Sequence, residues 1–275
     1  MSTIAEALRA ATARLATTSD TARLDAELLM SHALGCTRSD LLLRRMDDPA
    51  PRGLAALVGR RAAHEPVAYI TGHAEFYGLE VHVTPAVLIP RGDSEVLVKA
   101  ALALSPRPGR VLDLGTGSGA LLLAVLAHLP DARGVALDRS AEALEVATGN
   151  AARLGLEARV SGVEADWHQP GWADKLGTFD LILCNPPYVE EDAPLAPDVR
   201  EYEPAGALFA GADGLDDYRI LIPQLPPLLS AGGVAVFEIG HTQAPAVGEL
   251  AERSGFSAEL RHDLGGRPRA LILTW

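Results

Sequence analysis

From Arg110 onward, short apolar runs alternate with longer stretches in which apolar residues recur at helical spacing. This spacing predicts helices over 120–129, 141–154, 215–229 and 244–254, and strands over 110–114, 134–137, 159–163, 179–184, 234–239, 256–260 and 270–273. Because helices that connect consecutive strands make those strands parallel, the pattern predicts an α/β fold with a seven-stranded, mostly parallel sheet covered on both faces. No helix separates the last two strands, so the last strand is predicted to run antiparallel.

The chain before Arg110 is organised differently. Apolar residues at helical spacing over 4–15 and 22–34 predict a small N-terminal helical bundle, which we assign to residues 1–71. Alternation around Gly78 predicts a β-hairpin, so residues 72–92 form a linker, and residues 93–275 form the third domain. The first 19 residues are rich in Ser and Thr and faintly resemble a mitochondrial transit peptide, but their apolar spacing fits an amphipathic helix better.

Composition and charge exclude several classes of protein. Apolar residues make up 48% of the chain, yet no apolar run approaches the roughly 18 residues of a membrane span. The two cysteines, Cys36 and Cys184, lie far apart, which predicts a reduced, cytoplasmic setting without disulfides. Residues 1–75 are neutral overall, so the net charge of −12 falls on the rest of the chain and disfavours nucleic acid as a partner. The histidines show no metal-ligand spacing, and no metal is predicted.

A glycine loop, Gly115-Thr116-Gly117-Ser118-Gly119, joins the first predicted strand of the series to its helix. Glycines allow the backbone to approach a ligand closely. Asp138 ends the next strand, where a carboxylate can accept both ribose hydroxyls of a nucleoside. The pattern therefore predicts an adenosine-containing cofactor, and on this loop alone a nicotinamide dehydrogenase and an S-adenosylmethionine enzyme fit equally well. A tight strand–helix turn without a ligand is the remaining interpretation.

Asp166 and Trp167 follow the third strand of the series. Asp166 could accept a hydrogen bond from the adenine amino group, and Trp167 could cover the face of the ring. Core packing explains a tryptophan at this position equally well.

Asn185-Pro186-Pro187-Tyr188 follows the fourth strand of the series. Two consecutive prolines lack the N–H that a strand ladder needs, so hydrogen bonding between strands must stop here. An amide, two rigid carbonyls and an aromatic ring then project from one turn, which suits a small planar group that carries N–H donors. A Pro-rich turn explains Pro-Pro alone, but the flanking Asn and Tyr together with the glycine loop favour the ligand-binding interpretation. Cys184 beside this turn is interpreted as a core thiol, because no histidine motif supports a nucleophile.

Several further motifs belong to the same pattern: Tyr69-Ile70-Thr71-Gly72, Phe76-Tyr77-Gly78, Leu88-Ile89-Pro90-Arg91 with Asp93 and Glu95, Gly211-Ala212-Asp213-Gly214-Leu215, and Glu238-Ile239-Gly240. Together with the glycine loop, Asp138 and Asn185–Tyr188, they closely resemble the HemK/PrmC family, the protein-(glutamine-N5) methyltransferases of peptide chain release factors. The resemblance covers nearly the whole chain. The family usually has Pro and Thr where Gly92 and Ser94 stand here.

The resemblance implies a Rossmann-like class I methyltransferase fold and S-adenosylmethionine as cofactor, with S-adenosylhomocysteine as product. It implies a release factor as partner, whose GGQ loop carries the target glutamine and whose other domains contact the helical region, and no membrane. The implied cofactor contacts are Gly115, Thr116, Gly117, Ser118, Gly119, Asp138, Trp167 and Asn185. The implied substrate contacts are Asn185, Pro186, Pro187 and Tyr188, of which Asn185, Pro186 and Tyr188 are catalytic.

We hypothesise that the Asn185 side-chain oxygen and the Pro186 carbonyl each accept one N–H of the target amide, while Tyr188 stacks on its plane. Arg91 and Glu95 fit an interdomain salt bridge and a helix cap as well as a site role, and Glu238 fits a core acid or a pocket residue. Alternative functions are a ribosomal-protein glutamine methyltransferase, a DNA adenine-N6 methyltransferase, a dehydrogenase, which leaves Asn185–Tyr188 unexplained, and a non-catalytic binding module.

Overall fold

A computed structural model describes residues 2–104 and 108–275 of the chain. The described residues form eleven α-helices and nine β-strands. The helices are α1 (Ile4–Leu15), α2 (Ala22–Leu34), α3 (Arg38–Arg44), α4 (Leu54–Ala62), α5 (Val67–Thr71), α6 (Glu95–Leu104), α7 (Ala120–His128), α8 (Ala141–Arg153), α9 (Pro197–Tyr202), α10 (Asp216–Leu221) and α11 (Ala244–Arg253). The strands are β1 (His73–Phe76), β2 (Leu79–His82), β3 (Arg110–Leu114), β4 (Arg133–Asp138), β5 (Val160–Glu164), β6 (Phe179–Cys184), β7 (Leu229–Glu238), β8 (Ser257–His262) and β9 (Pro268–Thr274).

The described residues divide into two compact units. The smaller unit holds the chain up to His73 together with Leu195–Tyr202, and the larger unit holds Ala74–Pro194 and Glu203–Trp275. The domain limits after residues 71 and 92 remain a prediction. No helix among the described residues is both long and apolar enough to cross a membrane.

The smaller unit is a helical bundle whose apolar faces point inward. In α1, Ile4, Leu8 and Leu15 are fully buried at helical spacing, so this segment is an amphipathic helix of the core. Thr3 and Glu6 form a capping box, in which each side chain accepts a hydrogen bond from the other's backbone N–H.

The segment Leu195–Tyr202 is held in the smaller unit by polar contacts. The Tyr202 hydroxyl donates to the Ala63 carbonyl at 2.6 Å. The buried Arg61 guanidinium donates to Asp25 at 2.7 Å and lies 3.6 Å from the Asp198 carboxylate. A buried guanidinium needs anionic partners. Arg61 has one in the bundle, Asp25, and one in α9, Asp198, and so it links α9 to the bundle.

The larger unit is built on a seven-stranded sheet with the strand order β5-β4-β3-β6-β7-β9-β8. The pairs from β5 to β7 are parallel, and β9 pairs antiparallel with both β7 and β8. The predicted α/β fold with one antiparallel last strand is therefore confirmed.

Both faces of the sheet are buried, as a doubly covered parallel sheet requires. Along β6, Leu181 and Leu183 join the core on one face, which includes α6 and α7. Their neighbours Ile182 and Cys184 join the core on the opposite face, which includes α10 and α11. Successive side chains of a strand point to opposite faces of the sheet. Because both faces are buried here, the apolar run along β6 is continuous rather than alternating.

A hairpin of β1 and β2 precedes the sheet, as the sequence predicts. Its two-residue turn is Tyr77-Gly78, and both residues have positive φ, 51° and 77°. This is the backbone that a type I′ turn needs, since its twist matches that of the two strands.

Four elements differ from the sequence-based expectation. The helix predicted over 215–229 ends at Leu221 and continues as two 3-10 turns, because Pro223, Pro226 and Pro227 cannot supply helical N–H donors. The strand predicted from residue 234 begins at Leu229, so it also includes Gly232 and Gly233. The short helices α5 and α9 were not predicted, and each spans too few residues to show helical periodicity.

Candidate active site

The carboxyl ends of β3 and β6 meet in the middle of the sheet, where the chain order of the strands reverses. The two strands pair in parallel with Leu114 opposite Cys184. The next residues, Gly115 and Asn185, therefore leave neighbouring strands side by side. Ligands of open α/β sheets bind in the crevice outside such a reversal point. A cavity of about 600 Å³, a volume typical of cofactor sites, is lined by both residues.

Most of the predicted site residues line this cavity. They are Gly115, Thr116, Gly117, Ser118, Asp138, Trp167, Asn185 and Pro187. The remaining three, Gly119, Pro186 and Tyr188, are not among the described residues that line it. The structure thus brings the glycine loop, the acid at the end of β4 and the start of the tetrapeptide to one cavity.

The glycine loop is held in shape by the neighbouring strand. The N–H groups of Gly115 and Thr116 both donate to the Leu137 carbonyl at 2.9 Å. The Thr116 hydroxyl donates to the buried Asp113 carboxylate at 2.7 Å. These hydrogen bonds within the protein fix the first turn of the loop, which lowers the entropy cost of binding a ligand.

Asp138 receives hydrogen bonds on both carboxylate oxygens. Gly117 N–H donates to Oδ2 at 2.9 Å, and Ser140 N–H donates to Oδ1 at 3.0 Å. Each oxygen retains further acceptor capacity toward the cavity that the residue lines. Asp138 therefore both shapes the loop and can accept hydroxyl donors from a ligand.

Trp167 packs against the glycine loop with its ring largely buried, at 9% exposure. A Cβ atom on Gly115 would lie only 3.1 Å from the indole, so the close approach depends on glycine. The indole N–H donates to the Asp217 carboxylate at 2.6 Å, which fixes the orientation of the ring. Trp167 is both a core residue and a wall of the cavity, so the two interpretations of this residue are compatible.

Two supporting residues have no recognisable sequence motif. Asp217, in the first turn of α10, orients Trp167 and also lines the cavity. Asn150, fully buried in α8, donates to the Ser118 carbonyl and exchanges two hydrogen bonds with the backbone of His82. In the sequence, Asp217 is an acid at the start of a helix, and Asn150 is an asparagine within an apolar helix face. Each is only a weak indication of a supporting role.

Asp166 and Cys184 have little access to the cavity. Asp166 accepts hydrogen bonds from the backbone and ring of His168 and is not among the described residues that line the cavity. Its predicted contact with an adenine amino group stays a prediction. Burial raises the pKa of the Cys184 thiol well above its ordinary value, so the thiol stays protonated, as the core interpretation requires.

Tyr188 points its hydroxyl at a buried polar cluster. The hydroxyl donates to Glu238 at 3.2 Å and accepts from Arg269 at 3.4 Å. Burial raises the pKa of both Tyr188 and Glu238, and Arg269 opposes the shift in each case. Glu238, at 1% exposure, is thus a core acid, and its partners include Tyr188 of the tetrapeptide and Arg269, whose guanidinium lies 4.0 Å away.

Arg91 and Glu95 also have partners within the larger unit. Arg91 lines the cavity and forms an ion pair with the buried Glu203. Both residues belong to the larger unit, so this ion pair does not bridge the two units. Glu95 accepts from the Tyr77 backbone N–H at 3.2 Å and lies 3.7 Å from Lys99. Both residues therefore hold local segments at the edge of the site.

Asp113, beneath the loop, has an unusual protonation equilibrium. Burial, with a smaller contribution from the charge of Asp138, raises the pKa of Asp113 to about 7, although the Thr116 hydrogen bond opposes the shift. The folded protein therefore retains this proton across a pH range in which the unfolded chain, with a pKa near 3.8, has lost it. Stability falls as pH rises through that range and levels off above it.

We expect Asp113→Asn to remove this pH dependence. The melting temperature of the variant minus that of the wild type should rise by several degrees between pH 5 and pH 7 and then stay constant. Differential scanning calorimetry at half-unit pH steps measures the difference. A difference independent of pH would contradict the raised pKa, and Asp213→Asn, an exposed acid, is the control.

Family models match both parts of the chain. Residues 6–72 match the PrmC N-terminal domain, and residues 92–199 match the methyltransferase small domain. Together the two matches include most of α1, all of α2 and the glycine loop.

Similar proteins extend the match to nearly the whole chain. A release factor glutamine methyltransferase of Rhodospirillum rubrum is 43% identical over 91% of this chain and 78% of its own. One of Moorella thermoacetica is 43% identical over 98% of both chains. Among solved structures, a methyltransferase from Pyrococcus furiosus superimposes with a TM-score of 0.53 over 72% of this chain and 89% of its own, at 21% identity, which shows the shared fold.

The reversal-point cavity and its glycine loop fit a nucleoside cofactor, and the match to the methyltransferase small domain assigns the chain to the methyltransferases, a class that uses S-adenosylmethionine. The sequence identity of 43% to the two relatives, over most of the chain, narrows this class to one family. The chain belongs to the family of release factor glutamine methyltransferases.

Proposed function

We propose that this protein transfers a methyl group from S-adenosylmethionine to the side-chain amide nitrogen of the glutamine in the GGQ motif of peptide chain release factors. The observation that carries the proposal is the register of β3 and β6, which places Asn185 beside the glycine loop. The glycine loop and two residues of the tetrapeptide, Asn185 and Pro187, line one cavity, which supports a shared site for cofactor and amide. The names of the relatives support the choice of glutamine and of a release factor.

The residues that line the cavity fit S-adenosylmethionine. Asp138 offers carboxylate oxygens for ribose hydroxyls, and Trp167 offers an apolar ring face for a base. The loop from Gly115 to Ser118 supplies backbone at close approach. When bound, the cofactor supplies an electrophilic methyl group on a sulfonium.

Asn185 and Pro186 orient the nitrogen that receives the methyl group. A carboxamide nitrogen is a weak nucleophile, because its lone pair is delocalised into the carbonyl. The Asn185 side-chain oxygen accepts one N–H, and the Pro186 backbone carbonyl accepts the other. Both hydrogen bonds strengthen as positive charge develops on the nitrogen, and so they lower the barrier. Fixed orientation of the nitrogen contributes further, since reaction requires a near in-line approach.

Tyr188 limits the plane in which the amide can lie. Its hydroxyl is held by Glu238 and Arg269, so the ring has little freedom to rotate. We propose that the ring bounds the substrate amide and that Pro187, which lines the cavity, forms the adjoining wall. No general base is required in the tetrapeptide, because the amide proton can leave to solvent after transfer.

The partner in this proposal is a folded release factor. Its GGQ loop presents the glutamine, and its other domains contact the helical unit before residue 73. Because release factors act with ribosomes, we place the reaction in the cytoplasm. Nucleic acid takes no direct part in this proposal, consistent with the acidic charge of the chain.

Methyl transfer to purified release factor tests the proposal directly. With S-adenosylmethionine labelled in its methyl group, we expect label in wild-type release factor and none in a variant whose GGQ glutamine is replaced by alanine. Equal labelling of the two proteins would exclude the glutamine assignment. Parallel reactions with ribosomal protein and with duplex DNA distinguish the alternative substrates, and label in either instead would replace the proposal.

A further inference from the structure

Gln243 joins three separate segments at the back of the tetrapeptide. It lies just before α11, and its side chain is partly buried. The side-chain Nε2 donates to the Tyr188 carbonyl at 3.0 Å and to the Gly214 carbonyl at 3.1 Å. Its Oε1 accepts from Gly240 N–H at 3.0 Å. One carboxamide therefore uses both of its donors and an acceptor on backbone groups of three loops.

Gly214 and Gly240 leave room for the side chain of Gln243, because neither carries a Cβ atom. A Cβ atom on Gly214 would lie 2.3 Å from the Tyr188 carbonyl oxygen and 2.7 Å from Gln243 Nε2. A Cβ atom on Gly240 would lie 2.9 Å from Gln243 Oε1. Gly214 also has a φ of +69°, which side chains rarely adopt. The Gly211–Leu215 and Glu238–Gly240 motifs thus converge on this side chain, although neither contributes a reacting group.

Tyr188 is held from the remaining sides as well. Its N–H donates to the Leu208 carbonyl at 3.1 Å, and its hydroxyl donates to Glu238 at 3.2 Å. Gln243 supplies the hydrogen bond to the carbonyl, so all the polar groups of Tyr188 are engaged. The end of the tetrapeptide is therefore fixed in space before any substrate arrives.

We propose that Gln243 is a positioning residue for methyl transfer, which holds the Tyr188 backbone so that Asn185 and Pro186 present their oxygens to the substrate amide. The inference rests on the proposed function for its catalytic readout. Gln243 is not among the described residues that line the cavity, so it acts through the tetrapeptide rather than on the substrate. Its side chain makes no cap hydrogen bond to α11, so the role is not that of a helix cap.

Gln243→Met and Gln243→Glu separate the three hydrogen bonds. Methionine keeps the length of the side chain and removes all three, whereas glutamate keeps the acceptor for Gly240 and removes the donors to Tyr188 and Gly214. We expect both variants to lower the single-turnover rate of methyl transfer at saturating cofactor by at least about tenfold, because small misplacements of reacting groups are costly. The dissociation constant for S-adenosylmethionine, measured by calorimetry, should change by less than about threefold.

Hydrogen exchange supplies a readout that is independent of the substrate. The N–H groups of Tyr188 and Val189 both donate to the Leu208 carbonyl, so they report directly on the end of the tetrapeptide. We expect peptides that contain these two amides to exchange faster in Gln243→Met than in the wild type, in the absence of cofactor and release factor.

Gln224→Met is the matched control. Gln224 is also partly buried and bridges segments, since it accepts from the Trp172 indole at 2.7 Å and donates to the Ile220 carbonyl at 2.8 Å. We expect this control to lower stability while leaving both the transfer rate and the exchange at 188–189 unchanged. A wild-type transfer rate in Gln243→Met, or exchange at 188–189 equal to that of the control, overturns the inference. A wild-type protein without transfer to release factor overturns the proposed function instead, and the exchange result still decides the positioning role.

Discussion

Asn185→Ala is expected to lower kcat for release factor methylation by about 100- to 1000-fold, the range measured when one hydrogen bond to a developing charge is removed. The variant loses the oxygen that accepts an amide N–H as the nitrogen becomes positive. The glycine loop and Asp138 remain, so the dissociation constant for S-adenosylmethionine should rise only a few-fold. Single-turnover transfer at saturating cofactor, together with calorimetric titration of the cofactor, measures the two quantities separately.

Asn185→Asp is the informative companion variant. It keeps a side-chain oxygen in the same place, replaces the amide donor with a second acceptor oxygen and adds a negative charge. If acceptance of the N–H is the role of Asn185, the aspartate variant retains clearly more activity than the alanine variant. An alanine variant with kcat within a few-fold of wild type would contradict this role for Asn185. Loss of cofactor binding to the same extent as loss of rate would show instead that the residue serves the cofactor.

The sheet and the glycine loop could be predicted because their causes are local. Continuous apolar runs such as Phe179–Cys184 identify buried strands, and intervening helices impose parallel order. The positions of the loop after Leu114 and of Asp138 at the end of β4 follow from the same rule, since equivalent ends of parallel strands lie at one edge. The sequence therefore indicates both the fold and the edge of the sheet where the site is found.

The contacts behind the site depend on pairings that are distant in the chain. Trp167 is oriented by Asp217, 50 positions away, and the Tyr188 carbonyl is bound by Gln243, 55 positions away. Neither pairing produces a periodic pattern, because each joins single residues from separate elements. In the second, the partner is a backbone carbonyl, which any residue at position 188 would supply. Tyr188 also has a contact that the sequence does not indicate. The sequence assigns its ring to the substrate, whereas its hydroxyl donates to Glu238, a residue that only the folded chain brings near.

Asp138→Ala is expected to weaken binding of S-adenosylmethionine and of S-adenosylhomocysteine on the order of 100-fold, since a carboxylate that accepts two hydroxyl hydrogen bonds is lost. In the structure this carboxylate also accepts from Gly117 N–H and Ser140 N–H. The variant therefore loses both the proposed contacts to the ribose and the hydrogen bonds that hold the loop. Calorimetric titration with S-adenosylhomocysteine gives the affinity without any turnover.

A ligand analogue separates these two contributions of Asp138. The 2′-deoxy form of S-adenosylhomocysteine lacks one of the hydroxyls that the carboxylate is proposed to accept. In the wild type, we expect the analogue to bind roughly tenfold more weakly than the parent compound, the loss of one charge-assisted hydrogen bond. In Asp138→Ala the two ligands should bind alike, because the partner of the missing hydroxyl is gone. If the analogue lost the same factor in both proteins, Asp138 would act only through the glycine loop. Tighter binding of NAD than of S-adenosylhomocysteine by the wild type would contradict the cofactor assignment itself.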